Sequence, residues 1–337
     1  MKKTLVSTAA AIAAITFGLA VPAASADSFS INEPLDTPGA LSAPWVVGGS
    51  FAASVVTATD TPTNALRLTD TNTGQAGFAI YNKPVSVTKG IDITFHEAQY
   101  GGDGADGIAF FVKDGSDAST SVGAPGGGIG YSPFVGQQNG LDKALLGIGL
   151  DAYGNFANVS GDGTGCNTTF SRTAGNGNAN AITLRGAGNA QAGYCMLADS
   201  YVLTDHSLAP LSAGYSTRAD ADRKVRVVID PVNAATPHVT VYYQDTQVIQ
   251  VPLPAEFNNV STVKIGFAAG TGGSVDMHEV WGLSSQLPDE TGNTVEPTPT
   301  PTPVLAHTGF DYSVFALIAG ITLALGAGLM TAARRKN

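Results

Sequence analysis

Between Asp27 and Gln286 the apolar residues of this chain fall in short runs that alternate with polar ones, and no stretch holds the 3.6-residue period of a helix. Ile91, Ile93 and Phe95 alternate with Asp92 and Thr94. Val225, Val227 and Ile229 alternate with Arg226 and Val228, and Val239, Val241 and Tyr243 with Thr240 and Tyr242. Val248–Val251, Ala79–Tyr81, Ile108–Val112, Leu146–Leu150, Ile182–Leu184 and Val263–Ala268 add further runs, punctuated by Gly, Asn, Asp and Pro. A period of two is the mark of an antiparallel strand with one buried face. Roughly 260 residues of such strands bury their apolar faces most simply as two twisted sheets packed together. The expected fold class is therefore all-β, a sandwich of antiparallel sheets. Composition agrees. Only 13% of side chains are charged, against roughly 25% in an average globular chain. With 43% hydrophobic residues the chain is not disordered by composition, and a helical bundle needs more Glu, Lys and Leu. A formal charge of −10 argues against a nucleic-acid partner.

Both ends read as addresses. Met1-Lys2-Lys3, the apolar stretch Leu5–Ala20 and the small-x-small site Ala24-Ser25-Ala26 make a secretory signal peptide over 1–26, with Asp27 the expected first mature residue. At the other end, Val314–Ala333 is an uncharged apolar run, long enough to cross a bilayer, and Arg334-Arg335-Lys336 follow it. Leu305-Ala306-His307-Thr308-Gly309 lies just before that span. The three parts in this order over 305–337 resemble a sortase sorting signal, with Ala where most such signals have Pro. The resemblance implies cleavage between Thr308 and Gly309. Thr308 would then be joined to peptidoglycan, on the surface of a Gram-positive bacterium, with membrane contact only before sorting. Residues 287–304 include the Pro/Thr alternation Glu296–Pro303, an extended wall-spanning linker. Stripping Lys2, Lys3, Arg334, Arg335, Lys336 and Asp311 turns 17 basic and 27 acidic residues into 12 and 26, a charge of −14. An acidic, exported, Gly-rich domain suits calcium or sugar binding.

Cys166 and Cys195 are the only cysteines, and an even pair in an exported chain reads as a disulfide. Closing the 29-residue separation between them is worth roughly 3 kcal/mol in the chain-entropy account.

The sequence carries none of the common hydrolase motifs. There is no Gly-x-Ser-x-Gly elbow, no His-Glu-x-x-His helix and no strand with two carboxylates on one face. His96 and His278 are placed at strand ends, in structural roles. Two other clusters stand out. Gly104-Ala105-Asp106-Gly107 puts one carboxylate at the head of a buried strand, a costly placement unless it has a fixed partner. Asp151-Ala152-Tyr153-Gly154-Asn155 offers a carboxylate, a backbone carbonyl at Tyr153 and an amide oxygen at Asn155 in one tight turn, and Asp162 could close the set. Calcium takes six to eight oxygens at about 2.3–2.6 Å.

These stretches resemble the legume-type (L-type, concanavalin A-like) lectins and their bacterial relatives, and the matches run in family order from about Ala65 to Leu283. Ala105–Phe111 is similar to the strand whose Asp accepts hydrogen bonds from two sugar hydroxyls and follows a cis peptide. Pro125–Gly130 resembles the Gly-rich loop whose backbone N–H meets the sugar. Asp151–Asn155 resembles the calcium loop, and Ile265–Gly273 with His278–Val280 the late strand, the fourth sugar loop and the closing strand. The resemblance implies a concanavalin A-like jelly-roll sandwich over 27–286. It also implies a sugar site of Asp106, Gly127, Gly128, Asn155 and Gly272, and a Ca2+ site of Asp151, Tyr153, Asn155 and Asp162. Tyr131, Tyr153 and Phe156 are candidates to stack on the sugar. Gly149 stands where the family has a metal-binding Glu, and no His follows Asp162 closely, so no transition metal is expected. The function this implies is a wall-anchored, calcium-assisted carbohydrate-binding protein, not an enzyme. The alternatives are an adhesin or structural module on a lectin fold without sugar binding and, further off, a glycoside hydrolase.

Overall fold

The computed structural model describes residues 31–134, 138–167, 179–201 and 208–286. Chain contacts divide the protein into units 1–294 and 295–337, and every described residue belongs to the first. The signal peptide, the Pro/Thr linker, the sorting signal with Thr308 and Gly309, and the apolar span lie outside the described residues.

In chain order the strands are β1 (Asn32–Glu33), β2 (Trp45–Gly49), β3 (Ser54–Thr57), β4 (Asn64–Thr69), β5 (Ala76–Ser86), β6 (Ile91–Tyr100), β7 (Gly107–Asp114) and β8 (Ala144–Asp151). They continue with β9 (Ala181–Arg185), β10 (Gly188–Asn189), β11 (Ala192–Gly193), β12 (Met196–Tyr201), β13 (Arg223–Ile229), β14 (His238–Tyr243), β15 (Thr246–Pro252), β16 (Thr262–Gly270) and β17 (Met277–Gln286). One sheet runs β15-β14-β13-β6-β17-β4-β3, with β1 beside β17. The other runs β11-β10-β8-β7-β16-β5-β2, with β9 beside β8 and β12 beside β9. Every strand-to-strand ladder is antiparallel, so the protein is the all-β two-sheet sandwich expected. Among the described residues one α-helical turn, α1 (Arg218–Ala221), interrupts it, capped by the Thr217 side chain, and the other helical turns are 3-10. A single turn is too short to leave a helical period in the sequence.

Two apolar clusters explain which runs alternate and which do not. The main core lies between the sheets, where Phe95, Phe110 and Phe267 meet ring to ring at centroid distances of 4.9–5.7 Å. A second cluster covers the outer face of the nine-stranded sheet. It joins Ala109 and Phe111 to Ile129, Tyr131, Phe156 and Tyr194 from the loops. Strand β7 is therefore buried on both faces, and Ile108–Val112 reads as a continuous apolar run. Each fully buried aromatic or aliphatic side chain here contributes about 1.5–3 kcal/mol. The outer cluster matters for function because it fastens the Gly-rich loop and the 151–162 loop onto one end of the sheet.

The disulfide forms between Cys166 and Cys195 with Cα atoms 5.3 Å apart. His278 lies at the start of β17, as expected, whereas His96 lies in the middle of β6 rather than at its end. His278 in β17 is buried, with Nδ1 2.6 Å from Thr69 Oγ1, and His96 in β6 pairs with Asp222 at 2.6 Å. Both have local structural partners.

Candidate functional site

Three neighbouring strands stop at the same edge. Gly107, the first residue of β7, pairs on one side with Asp151, the last of β8, and on the other with Gly270, the last of β16. The segments that enter or leave those strands therefore converge. Asp106 precedes β7, Tyr153 and Asn155 follow β8, and Gly272 follows β16. The turn Gly126–Gly128 closes over them, since Gly126 lies near both Asp106 Oδ2 and the Gly272 Cα. Residues far apart in the sequence thus meet because the strand register demands it.

Asp106 is fixed by its own backbone. Its N–H donates to Gly270 O at 3.1 Å, and its carbonyl accepts from Tyr153 N at 3.1 Å. The Ala105–Asp106 peptide is cis. The side chain is 4% exposed, yet Oδ2 has no hydrogen-bond partner. Burial pushes the carboxyl from 3.8 up to about 7; the Gly272 backbone pulls against this, and Asp103 adds to it. The Gly272 N–H is itself committed to Ser274 O at 3.2 Å. The turn before Asp106 is tied to the 271–276 loop. Asp103 N donates to Val275 O at 2.8 Å, Val275 N to Asp103 Oδ1 at 2.5 Å and Gly102 N to Asp276 Oδ1 at 2.9 Å. Sequence reasoning missed Asp103 and Asp276. Both are acids in loops, and only the fold shows what they hold.

The other residues expected to meet a sugar divide. A Cβ on Gly127 would fall 2.5 Å from Asn155 Cβ and 2.6 Å from the Phe134 ring, so the bare glycine is what lets Asn155 approach. Gly127 and Gly128 are both buried, but Gly127 packs against Asn155 while the Gly128 N–H points back to Pro125 O at 3.4 Å. Asp106, Gly126, Gly127, Asn155 and Gly272 therefore form the edge, while Gly128 stands behind it. Of the three aromatic candidates, Tyr131 and Phe156 are core residues at 0% exposure, whereas Tyr153 is half-buried. Phe134, half-buried beside Gly127, is a further aromatic at the edge. No sequence pattern marked it, because its position follows from the fold of the Gly-rich loop. A cavity of about 310 Å³ between Asp114, Lys143 and Asn189 lies at the opposite end of β7.

The residues proposed for calcium are placed as follows. Asp151 is fully buried, and its two oxygens accept the Gly154 and Ala157 amides at 2.7 Å each. Burial raises its carboxyl to about 7; those two amides, then Arg185, counter the rise, while Asp106 adds to it. Asn155 Oδ1 accepts weakly from Asn158 at 3.4 Å. Asp162 Oδ1 binds the Arg185 guanidinium at 2.5 Å. The donor set does not fit a calcium ion. The one carboxylate that would close it is neutralised by a buried cation, and the other serves two amides. Among the described residues no three His, Cys, Asp or Glu side chains gather for a metal. The position of the missing metal-binding Glu is also filled: a Cβ on Gly149 would lie 2.3 Å from the Phe156 ring.

No family model matches the chain, and no curated protein matches it. Solved structures similar to it include lectins. The exoplasmic/lumenal domain of VIP36 in its Ca2+/Man3GlcNAc-bound form is 19% identical, over 76% of this chain and 89% of that one, with a TM-score of 0.43. Peanut lectin with a nine-residue peptide is 18% identical, over 77% and 97%, at 0.46. Lectin I-B4 from Griffonia simplicifolia in a metal-free form is 16% identical, over 77% and 98%, at 0.47.

Proposed function

We propose that this chain is a carbohydrate-binding, lectin-like protein without catalytic activity, displayed on a Gram-positive cell wall for adhesion or glycan capture. One observation carries the sugar site: Asp106 Oδ2, a buried carboxylate oxygen with no partner, at an edge built of Gly126, Gly127 and Gly272 backbone. A buried acceptor without a donor is expensive, and a ligand hydroxyl would supply one. Asn155 beside it offers an amide, and Tyr153 or Phe134 an apolar ring for a sugar face. This is a small, donor-poor, glycine-lined edge, matched to vicinal hydroxyls on a ring rather than to a charged ligand. Calcium has no part in the proposal, because the donor set does not fit it.

Display on the wall rests on the sequence order of sorting pentapeptide, apolar run and basic tail. The full-length protein on a glycan array tests the binding, with Asp106→Ala as control. We expect binding to a defined set of glycans that the variant loses at least tenfold. Binding unchanged in the variant, or none to any glycan, overturns the reading. Mass spectrometry of wall fragments tests the anchor, and a chain ending at Thr308 on a peptidoglycan stem is the expected product.

A further inference from the structure

The loop from Asp151 to Asp162, which brings Asn155 to the edge, closes around a single cation. Arg185 in β9 is 0% exposed, and its guanidinium uses every N–H it has. Nε and Nη2 donate to Phe156 O at 3.0 and 2.6 Å, and Nη2 donates again to Asn158 O at 2.6 Å. Nη1 donates to Asp162 Oδ1 at 2.5 Å and to Tyr194 O at 2.7 Å. The guanidinium carbon lies 4.8 Å over the Phe156 ring. The loop is drawn in so tightly that a Cβ on Gly161 would fall 2.7 Å from Nη2.

Three carbonyls and a carboxylate converging on one positive charge are the oxygens a hard divalent cation would seek. A planar fork reaches them instead, with a geometry that a point charge cannot copy. We infer that Arg185 is a built-in cation doing the work that the lectin resemblance assigns to calcium, so that the loop carrying Asn155 is held in place without metal. That this loop serves a glycan site rests on the reading proposed above; that Arg185 replaces the metal does not. Asp162 Oδ2 is the one carboxylate oxygen of the loop left without a partner. One open oxygen beside a guanidinium does not hold a divalent ion.

The test uses the full-length protein and calcium alone. Calorimetric titration with calcium chloride is expected to show no saturable heat. The Tm is expected to move by less than about 1 °C between millimolar calcium and excess chelator. Saturable binding with a rise in Tm overturns the inference. Arg185→Met should lower the Tm by roughly 10 °C, and Arg185→Lys, which keeps the charge but loses the fork, should recover only part of it. A Met variant as stable as wild type also overturns the inference. If the Met variant does not fold, the calcium titration of the wild-type protein decides alone. The glycan array with and without chelator separates the two readings. Glycan binding that persists in chelator supports the inference, and binding that requires calcium sinks it while sparing the carbohydrate reading. No glycan bound in either buffer sinks the carbohydrate reading and leaves the calcium titration to judge Arg185.

Discussion

Two buried carboxylates, one associated with each sheet, have opposite surroundings. Glu279 in β17 is fully buried and saturated. Oε1 takes Arg67 at 2.7 Å, and Oε2 takes Arg218 Nε at 2.6 Å and the Tyr100 hydroxyl at 2.9 Å. Asp106, at the end of the nine-stranded sheet, is nearly as buried and has an oxygen with no donor. The first arrangement is what a fold does with an acid it uses for its own cohesion. The second leaves an acceptor that a ligand from outside the chain could complete. Glu97 in β6 qualifies the rule. Neither of its oxygens has a hydrogen-bond partner, but it is 0% exposed within the sheet, and burial raises its pKa well above the usual carboxylate range against the pull of Arg223 and Gln99. An unpartnered acid points to a ligand when it lies at an edge that a ligand can reach.

The contrast is broken most sharply at Glu279. Removing it in Glu279→Ala leaves Arg218 buried with its main partner gone, and about 3–5 kcal/mol of stability should be lost. Chemical denaturation measures this, and a loss under 1 kcal/mol would show that the network does not hold the sheet. Gly127→Ala should cost less, about 1–3 kcal/mol, because its new methyl overlaps Asn155 Cβ and the Phe134 ring. Glycan affinity should fall with it, since Asn155 must move. An alanine variant that binds as wild type would remove Asn155 from the site.

The pH dependence sharpens the comparison from the other side. The Asp106 carboxyl, at 3.8 in an unfolded chain, is near 7 in the fold. Its raised value means that the folded state holds a proton the unfolded chain has released. The associated stabilisation is present at acid pH and is lost as pH rises from about 4 to 7, and Asp151 follows the same sign. Glycan binding is expected to run the opposite way, because Oδ2 must be ionised to accept hydroxyls well. Affinity should rise about tenfold between pH 6 and 8 while Tm drifts down. Affinity flat over that range would mean that the carboxylate is not the acceptor.

Much of this was legible in the residues. The alternating runs placed β6, β13 and β14, and the flanking glycines singled out Asp106, because period and turn chemistry are local properties. Asp162 shows where local reading stops. Its spacing from Asp151 suggested a metal ligand, but its partner Arg185 lies beyond the disulfide's first cysteine and on another strand, and only the β8–β9 register brings it there. Phe156 likewise looked like a platform for sugar and proved to be the floor beneath a guanidinium. Aromatic residues announce that they will be buried, not against what.

The smallest expected effect is also the one that decides what Asp106 is. Asp106→Asn keeps the shape and removes the charge. If the carboxylate had a structural partner, as Glu279 has, the amide would leave that partner unsatisfied and cost several kcal/mol. Its Oδ2 has no such partner, and a buried charge without one is itself a burden, so the substitution should change stability by less than about 1 kcal/mol, with a gain on the alkaline side of pH 7. The part of the Tm drift that belongs to Asp106 should vanish, while the part that belongs to Asp151 stays. Glycan binding should fall and lose its pH dependence together. Denaturation of the two proteins at pH 6 and pH 8 measures this directly. A loss above 2 kcal/mol at either pH would place Asp106 with Glu279, as an acid the fold keeps for itself.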